Sequence, residues 1–401
     1  MYELSARAFR GDMMDAMAAD RDFFHAHPEL GFDLQEGCNH IRRQLEHEGY
    51  APKEICPCAL VATVGRGRGK TILLRADYDA LPVDEPAGHP ARSQNPGAAH
   101  TCGHDAHAAM LLGAARLLKR VEDQIEGTVK LVFQPNEEGV DKSCPGAKAI
   151  VDAGVLEDPP VDAVLALHAL APYPLGAVCA HPGRVLTSTD SFHITVNGLG
   201  GHGAMPHNCA DPIAVAVRLY QALEELVARE TPPSATAVLT VGGIRAGGPG
   251  GIIPSSCEMW GTLRAYDPDL RTHLLRRMEE LCWKLPPLYR ATASIEQQLK
   301  LGSIHTDSAL LAELAPFVRE IVRPEKMDLA AGPVMPSEDF SFLSNRVPTA
   351  HLYLGFGEPG DGGADGAEKS ALFLRDRALP TGAALYANCA LEWLRKNRLP
   401  G

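Results

Sequence analysis

Three short runs in the first half of the chain restrict its architecture most: KTILLRAD (70–77), GTVKLVFQP (127–135) and DAVLALH (162–168), each apolar nearly throughout. A strand that is apolar on both faces must be covered on both, which calls for helices above and below a largely parallel sheet. Candidate covering helices lie between them. DAHAAMLLGAARLLKRV (105–121) is apolar almost all round and reads as a packed core helix. Amphipathic helices are expected at about 5–25 and 35–48, an apolar run LVATVG lies at 60–65, and another helix is expected at about 146–153. This alternation predicts an α/β domain with a mostly parallel sheet.

Near residue 187 the pattern changes. SFHITVNG (191–198), ATAVLTVG (235–242), SCEMWGTLRAY (256–266) and ATASIEQQ (291–298) read as strands, the first three with clear alternation. Helical patterns at 211–230 and 268–285 separate them in the order strand–helix–strand–strand–helix–strand, the split arrangement of a ferredoxin-like α+β domain. From about 300 helix and strand alternate again, with HLYLGFG (351–357) as a strand and ALPTGAALYANCALEWLRK (378–396) as a closing helix. The expected organisation is a catalytic α/β domain of residues 1–186 and 300–401, interrupted by a second domain at 187–299. A length of 401 residues suits two domains.

Composition excludes several classes. A net charge of −12 lacks the basic face that nucleic acid requires. No apolar run reaches the ~18 residues of a membrane span, and MYELSARAFRGDMMDAMAADRDFF has no apolar segment of the signal-peptide kind. Ten irregularly spaced cysteines do not form a disulfide framework and predict a reducing, cytoplasmic setting. Cys56-Pro57-Cys58 lacks a second pair, so free thiols near a turn are expected rather than a zinc knuckle.

Polar residues gather where the buried runs end. Asp77 and Asp79 follow the first, Glu137 and Glu138 the second, and His168 ends the third. Cys102 and His104 stand just before the core helix, with Asp105 at the expected N-cap. In open α/β sheets the ligand crevice lies outside the carboxyl ends of the strands. Singly, each has an ordinary explanation as a cap, a turn residue or a solvated charge. Together they offer a thiol, two imidazoles and several carboxylates, a donor set suited to Zn²⁺ or Mn²⁺. Adjacent Glu137 and Glu138 point different ways, so one can bind a cation while the other acts as general base toward a metal-bound water.

HAHPELGFDLQE (25–36), LLRADYDALPVDE (73–85), AAHTCGHDAHAAMLLGAA (98–115), LVFQPNEEG (131–139), LALH (165–168), GLGGHGAMPH (198–207), IIPSSCEMWGTLR (252–264) and SEDFSFL (337–343) occur in that order. This series resembles the metal-dependent amidohydrolases that include aminoacylases, hippurate hydrolase and the plant hydrolases of indole-acetyl amino acids. The resemblance implies hydrolysis of the amide of a small N-acylated amino acid, or a related N-acyl compound, in a homodimer joined through 187–299. It implies a dinuclear centre bridged by Cys102; with the departures below, one or two divalent ions are expected, Zn²⁺ or Mn²⁺ before Ni²⁺ or Co²⁺. Cys102, His104, Glu138 and His168 would be ligands and Glu137 the general base. Asp79 would orient a ligand histidine, and His202 would reach from the partner subunit to stabilise the oxyanion.

Two positions depart from the family pattern. Lys369 stands where the family carries a further histidine ligand, Ala371 replaces the following proline, and no histidine occurs after His351. A protonated lysine offers no lone pair. Lys369 is therefore a fixed charge in place of a second ion, a neutral ligand, or a solvated loop residue. Gly251 replaces the family's asparagine, which reaches the substrate's carboxylate, leaving Arg264 as the candidate partner for an acid or an ordinary strand-end arginine. The departures leave room for a retuned biosynthetic relative and for a metal-free binding relative, although a binding protein has no need of Glu137. Cys102 as a nucleophile with His104 as its base is a poor alternative, because residues flanking a glycine seldom achieve that geometry.

Overall fold

Strands buried along their whole length build the centre of the first of two units. The computed structural model describes residues 12–85, 92–248, 250–357 and 376–398. The chain forms two units. One comprises Met1–Val185, His305–Pro333 and Glu338–Gly401, the other Leu186–Ile304 and Val334–Ser337.

In the first unit α1 (Asp12–Ala26) and α2 (Gln35–His47) precede a hairpin of β1 (Lys53–Cys56) and β2 (Ala59–Gly65). Then come β3 (Thr71–Asp77), α3 (His104–Arg120), β4 (Thr128–Gln134), α4 (Gly146–Asp152), β5 (Ala163–Pro174) and β6 (Val178–Cys179). The second unit supplies β7 (Thr189–Asn197), α5 (Pro212–Glu230), β8 (Ala237–Ala246), β9 (Ser256–Ala265), α6 (Pro268–Lys284) and β10 (Thr292–Leu301). The chain returns to the first unit with α7 (Ser308–Ile321), β11 (Met327–Asp328), β12 (Thr349–Gly357) and α8 (Leu379–Lys396).

The first unit's sheet runs β1-β2-β4-β3-β5-β12-β6-β11. Its central strands β4, β3, β5 and β12 pair in parallel. Antiparallel pairs occur toward the edges, where β1 meets β2, β2 meets β4 and β6 meets β12. Every residue of β3, β4 and β12 is buried, as the uniform apolarity of TILLRAD and TVKLVFQ requires. Helix α3 is buried from His104 to Leu118 and packs against β3, α1 and α8. β1 has no sequence signature, because KEIC is a half-exposed edge strand without alternation.

The start of α3 differs from expectation. Gly103, at φ 93°, takes the N-cap position, and Asp105 lies inside the first turn. The backbone must reverse between Cys102 and His104, and the left-handed region is open to glycine without a Cβ penalty. Asp105 instead accepts the Ala106 N–H at 2.9 Å and meets His25 Nδ1 at 2.8 Å, fastening α1 to α3.

The second unit's four strands run in the order β8-β9-β7-β10, all antiparallel. With α5 and α6 this is the ferredoxin-like connectivity. Both helices open on an aspartate cap followed by proline, Asp211-Pro212 and Asp267-Pro268. Buried Asp190 of β7 holds Arg271 of α6 through two hydrogen bonds of 2.6 Å.

One lysine is buried in the central sheet. Lys130 of β4 donates to the carbonyls of Val155, Asp158 and Pro159 at 2.8–3.0 Å, closing the turn before β5. Lys130→Met leaves those carbonyls unsatisfied, at ~1–3 kcal/mol for each one that water cannot reach. Urea unfolding of Lys130→Met is expected to show a loss of about 2 kcal/mol or more. A midpoint equal to wild type would contradict the assignment.

Candidate metal centre

The strand ends of the first unit deliver their polar residues to one place. Asp79 lies just past β3, Glu137 and Glu138 just past β4, His168 on β5, and Cys102 and His104 at the entry to α3. One donor atom each of Cys102, His104 and His168 lie within 4.8 Å of one another, and the same holds for His104, Glu137 and Glu138. His104 belongs to both triads and marks the centre.

Each donor is aimed by a specific contact. His104 Nδ1–H donates to the Asp79 carbonyl at 2.9 Å, which leaves Nε2 with the lone pair. That Nε2 sits 3.7 Å from Glu137 Oε2 and 3.8 Å from Glu138 Oε1. His168 Nδ1–H donates to the Ala169 carbonyl at 2.8 Å, and its Nε2 faces Cys102 Sγ at 3.8 Å. The Asp79 carboxylate accepts the backbone N–H groups of Glu137 and Glu138, both at 3.0 Å, and so fixes the glutamate pair. The carbonyl of Asp79, rather than its carboxylate, is therefore the close partner of His104, whose Nδ1 is 3.6 Å from Oδ1.

The loop carrying the glutamates is tightly folded. Asn136 adopts φ 52° and its amide donates to the carbonyls of Asp141 and Cys144 at 3.0 and 2.9 Å. A Cβ on Gly146 would lie 1.7 Å from the Pro135 oxygen, so only glycine lets α4 start this close beneath the loop.

The proton equilibria of the bare side chains are displaced from their ordinary values. Burial, then the neighbouring Glu138, Glu338 and Asp339 carboxylates, push Glu137 well above the usual carboxylate range. Burial raises Glu138 and pushes the Cys102 thiol up to about 12. Burial lowers His168 to about 3. Burial also opposes a charge on His104, yet Asp77 and Cys102 hold it well above the ordinary histidine value. A cation among these groups would oppose the upward shifts of Glu137, Glu138, Cys102 and His104, favouring carboxylate and thiolate, and would reinforce the neutral state of His168.

His104 Nε2 and Glu138 Oε1 are buried with no hydrogen-bond partner among the described residues. Orphaned buried polar atoms are uncommon and call for an explanation such as an ion. Soft sulfur, two imidazole nitrogens and a carboxylate around one point fit a borderline divalent cation.

Below the centre lies a buried network of which sequence reasoning singled out only Asp77. Arg75, 2% exposed, places its guanidinium 2.6 Å from Asp77 Oδ2, 2.5 Å from Glu338 Oε1 and 3.3 Å from Asp339 Oδ1. Glu338 Oε2 meets His351 Nε2 at 3.1 Å, and Gln134 bridges Arg75 and Asp339. The signal was present: a charged residue inside a strand buried on both faces must have buried counter-charges.

The remaining candidates belong to other segments of the chain. His202 is exposed in the second unit, where its Nδ1 accepts the Ala204 N–H at 3.1 Å. Arg264, also of that unit, is 3.4 Å from both the Met335 carbonyl and Ser337 Oγ. Lys369 and Ala371 fall outside the described residues. Gly251, at φ 95°, has open space around its Cβ direction. All ten cysteines are free thiols. Cys38, Cys58 and Glu54 also cluster, around the β1–β2 turn, with Glu54 engaged by the Cys58 N–H and Arg42.

A strand-end centre of this kind within a two-unit α/β scaffold defines a metallohydrolase-like architecture, and comparison supports that class. The profile of peptidase family M20/M25/M40 matches residues 73–392. The chain belongs to this family. An IAA-amino acid hydrolase of Arabidopsis thaliana is 34% identical over 96% of this chain and 88% of its own length. An N-acetyl-L-cysteine deacetylase of Bacillus subtilis is 33% identical over 85% of this chain and 80% of its own. A Bacillus subtilis structure described as a dinuclear metal binding peptidase of the M20 family superposes with a TM-score of 0.80 at 28% identity, covering 96% of this chain and 99% of that one.

Replacing Arg75 by methionine removes the cation from three buried carboxyls and is expected to cost about 3–5 kcal/mol by denaturant unfolding near neutral pH. Without their cation these carboxyls hold protons more tightly in the fold than in the unfolded chain, so the variant regains stability as pH falls. The deficit of Arg75→Met is therefore expected to shrink between about pH 8 and about pH 5. A deficit independent of pH would contradict the charge argument.

Proposed function

We propose that this chain hydrolyses the amide bond of a small N-acylated amino acid or related N-acyl compound at a divalent-cation centre. The observation that carries this reading is the pair of buried, partnerless donors, His104 Nε2 and Glu138 Oε1, converging with Cys102 and His168 beside Glu137. Cys102, His104, Glu138 and His168 would hold the ion, proposed as Zn²⁺ or Mn²⁺, of which Zn²⁺ suits the thiolate and imidazole donors better. When bound, a divalent cation polarises the scissile carbonyl and makes a water molecule acidic enough to attack near neutral pH.

The protein's own residues supply the rest. Glu137 is 10% exposed and stands 3.7 Å from His104 Nε2, near the ion position without being needed as a ligand. It takes the proton of the attacking water and returns it to the departing amine. Asp79 keeps Glu137 and Glu138 in their separate roles by fixing both backbone amides. His202 is proposed to stabilise the tetrahedral oxyanion from a partner subunit, and Arg264 to pair with an acidic substrate group.

The homodimer is proposed to form through the second unit, whose edge strand β8 and neighbouring β9 expose Val238, Ile244 and Trp260. The similarity to hydrolases and deacetylases named for N-acyl amino acid substrates supports the substrate class. Ten free thiols suit a reducing cytoplasmic setting. No described helix is long and apolar enough to cross a membrane.

Glu137→Gln is expected to lower kcat on N-acetyl or N-benzoyl amino acids by about 10²–10⁴-fold, with the metal content by elemental analysis unchanged. Full turnover by this variant would overturn the assigned base. Cys102→Ala is expected to lose both metal and activity.

A further inference from the structure

Asp77, His104 and His107 also bring donor atoms within 4.8 Å of one another and, taken alone, would pass for ligands of an ion. Their hydrogen bonds say otherwise. His107 Nε2 accepts the backbone N–H of Ala169 at 2.7 Å, so its proton resides on Nδ1, which faces Asp77 Oδ1 at 2.5 Å. Both imidazole nitrogens are engaged by the protein, and no lone pair remains for a cation. The second oxygen of Asp77 is held by Arg75 at 2.6 Å, and Arg75 in turn by Glu338 at 2.5 Å. Every side chain in this series is at least nine-tenths buried.

The series ends on the peptide that follows His168. The Ala169 N–H belongs to the His168–Ala169 peptide plane, whose orientation sets the direction in which the His168 side chain leaves the backbone. The Ala169 carbonyl then receives the proton of His168 Nδ1 and directs Nε2 toward Cys102. The His107 ring also lies across His168, with centroids 4.7 Å apart at 68°. We propose that His107 is a positioning residue rather than a ligand: anchored by Asp77, it fixes the peptide after His168 and thereby the aim of His168 Nε2 at the cation site. Partners of this kind behind a metal-binding histidine typically contribute 10–100-fold to affinity.

This inference rests on the metal reading above, and the test separates the two. Metal-free full-length protein is titrated with Co²⁺, and uptake is followed by the thiolate-to-cobalt band and by the visible bands that report coordination geometry. His107→Asn keeps a donor within reach of Asp77 but is too short to meet the Ala169 N–H. His107→Gln reaches that N–H with its amide oxygen. Wild type is expected to bind with a thiolate band. His107→Asn is expected to bind 10–100-fold more weakly with shifted visible bands, at unchanged far-ultraviolet circular dichroism, and His107→Gln to recover most of the affinity. Wild-type affinity and spectrum in His107→Asn, or failure of His107→Gln to improve on it, would overturn the positioning role while leaving the metal reading intact. Absence of cobalt uptake by wild type would overturn the metal reading, and this inference with it.

Discussion

A guanidinium buried beneath the strand ends underlies this molecule. Arg75 sits in the middle of the sheet with Asp77, Glu338 and Asp339 around it, in a place where none of these charges could be tolerated alone. The arrangement joins β3 to the segment that follows the second unit, residues far apart in sequence but adjacent in the core. Because Asp77 is anchored there, the ends of β3 and β5 are held in a fixed relation, and the donor groups above them have a rigid floor.

On that floor the site is built by short local devices. Gly103 lets the chain reverse so that Cys102 and His104 both face the centre. Asp79 divides its contacts, carbonyl to His104 and carboxylate to the Glu137 and Glu138 amides. Asn136 and Gly146 permit the sharp loop that presents the two glutamates. None of these residues needs to touch a substrate, yet each determines where a reacting atom would find its partners.

Much of this organisation was legible before any coordinates. Strands apolar on both faces could only be the buried centre of a covered sheet, and the change to alternating strands near residue 187 announced the second unit. Cys102, His104, Glu137, Glu138 and His168 stood out because polar residues at the ends of buried strands converge in this topology. Arg75 and Glu338 did not, since their pairing depends on which distant segment covers the sheet. His107 was hidden for a related reason: one apolar helix face carries it, and only the strand register reveals that it meets the amide after His168. Asp105 looked like a cap, but the reversal at Gly103 moved the helix start and turned Asp105 toward His25.

The account stands or falls on a divalent ion at the strand ends. Crystals of protein purified without chelator, measured for anomalous scattering at the metal absorption edges, address it directly. The expected result is a peak within about 2.0–2.3 Å of Cys102 Sγ, His104 Nε2, His168 Nε2 and a Glu138 oxygen, with Glu137 beside it. A featureless map at that position, both untreated and after soaking with zinc or manganese, would contradict it.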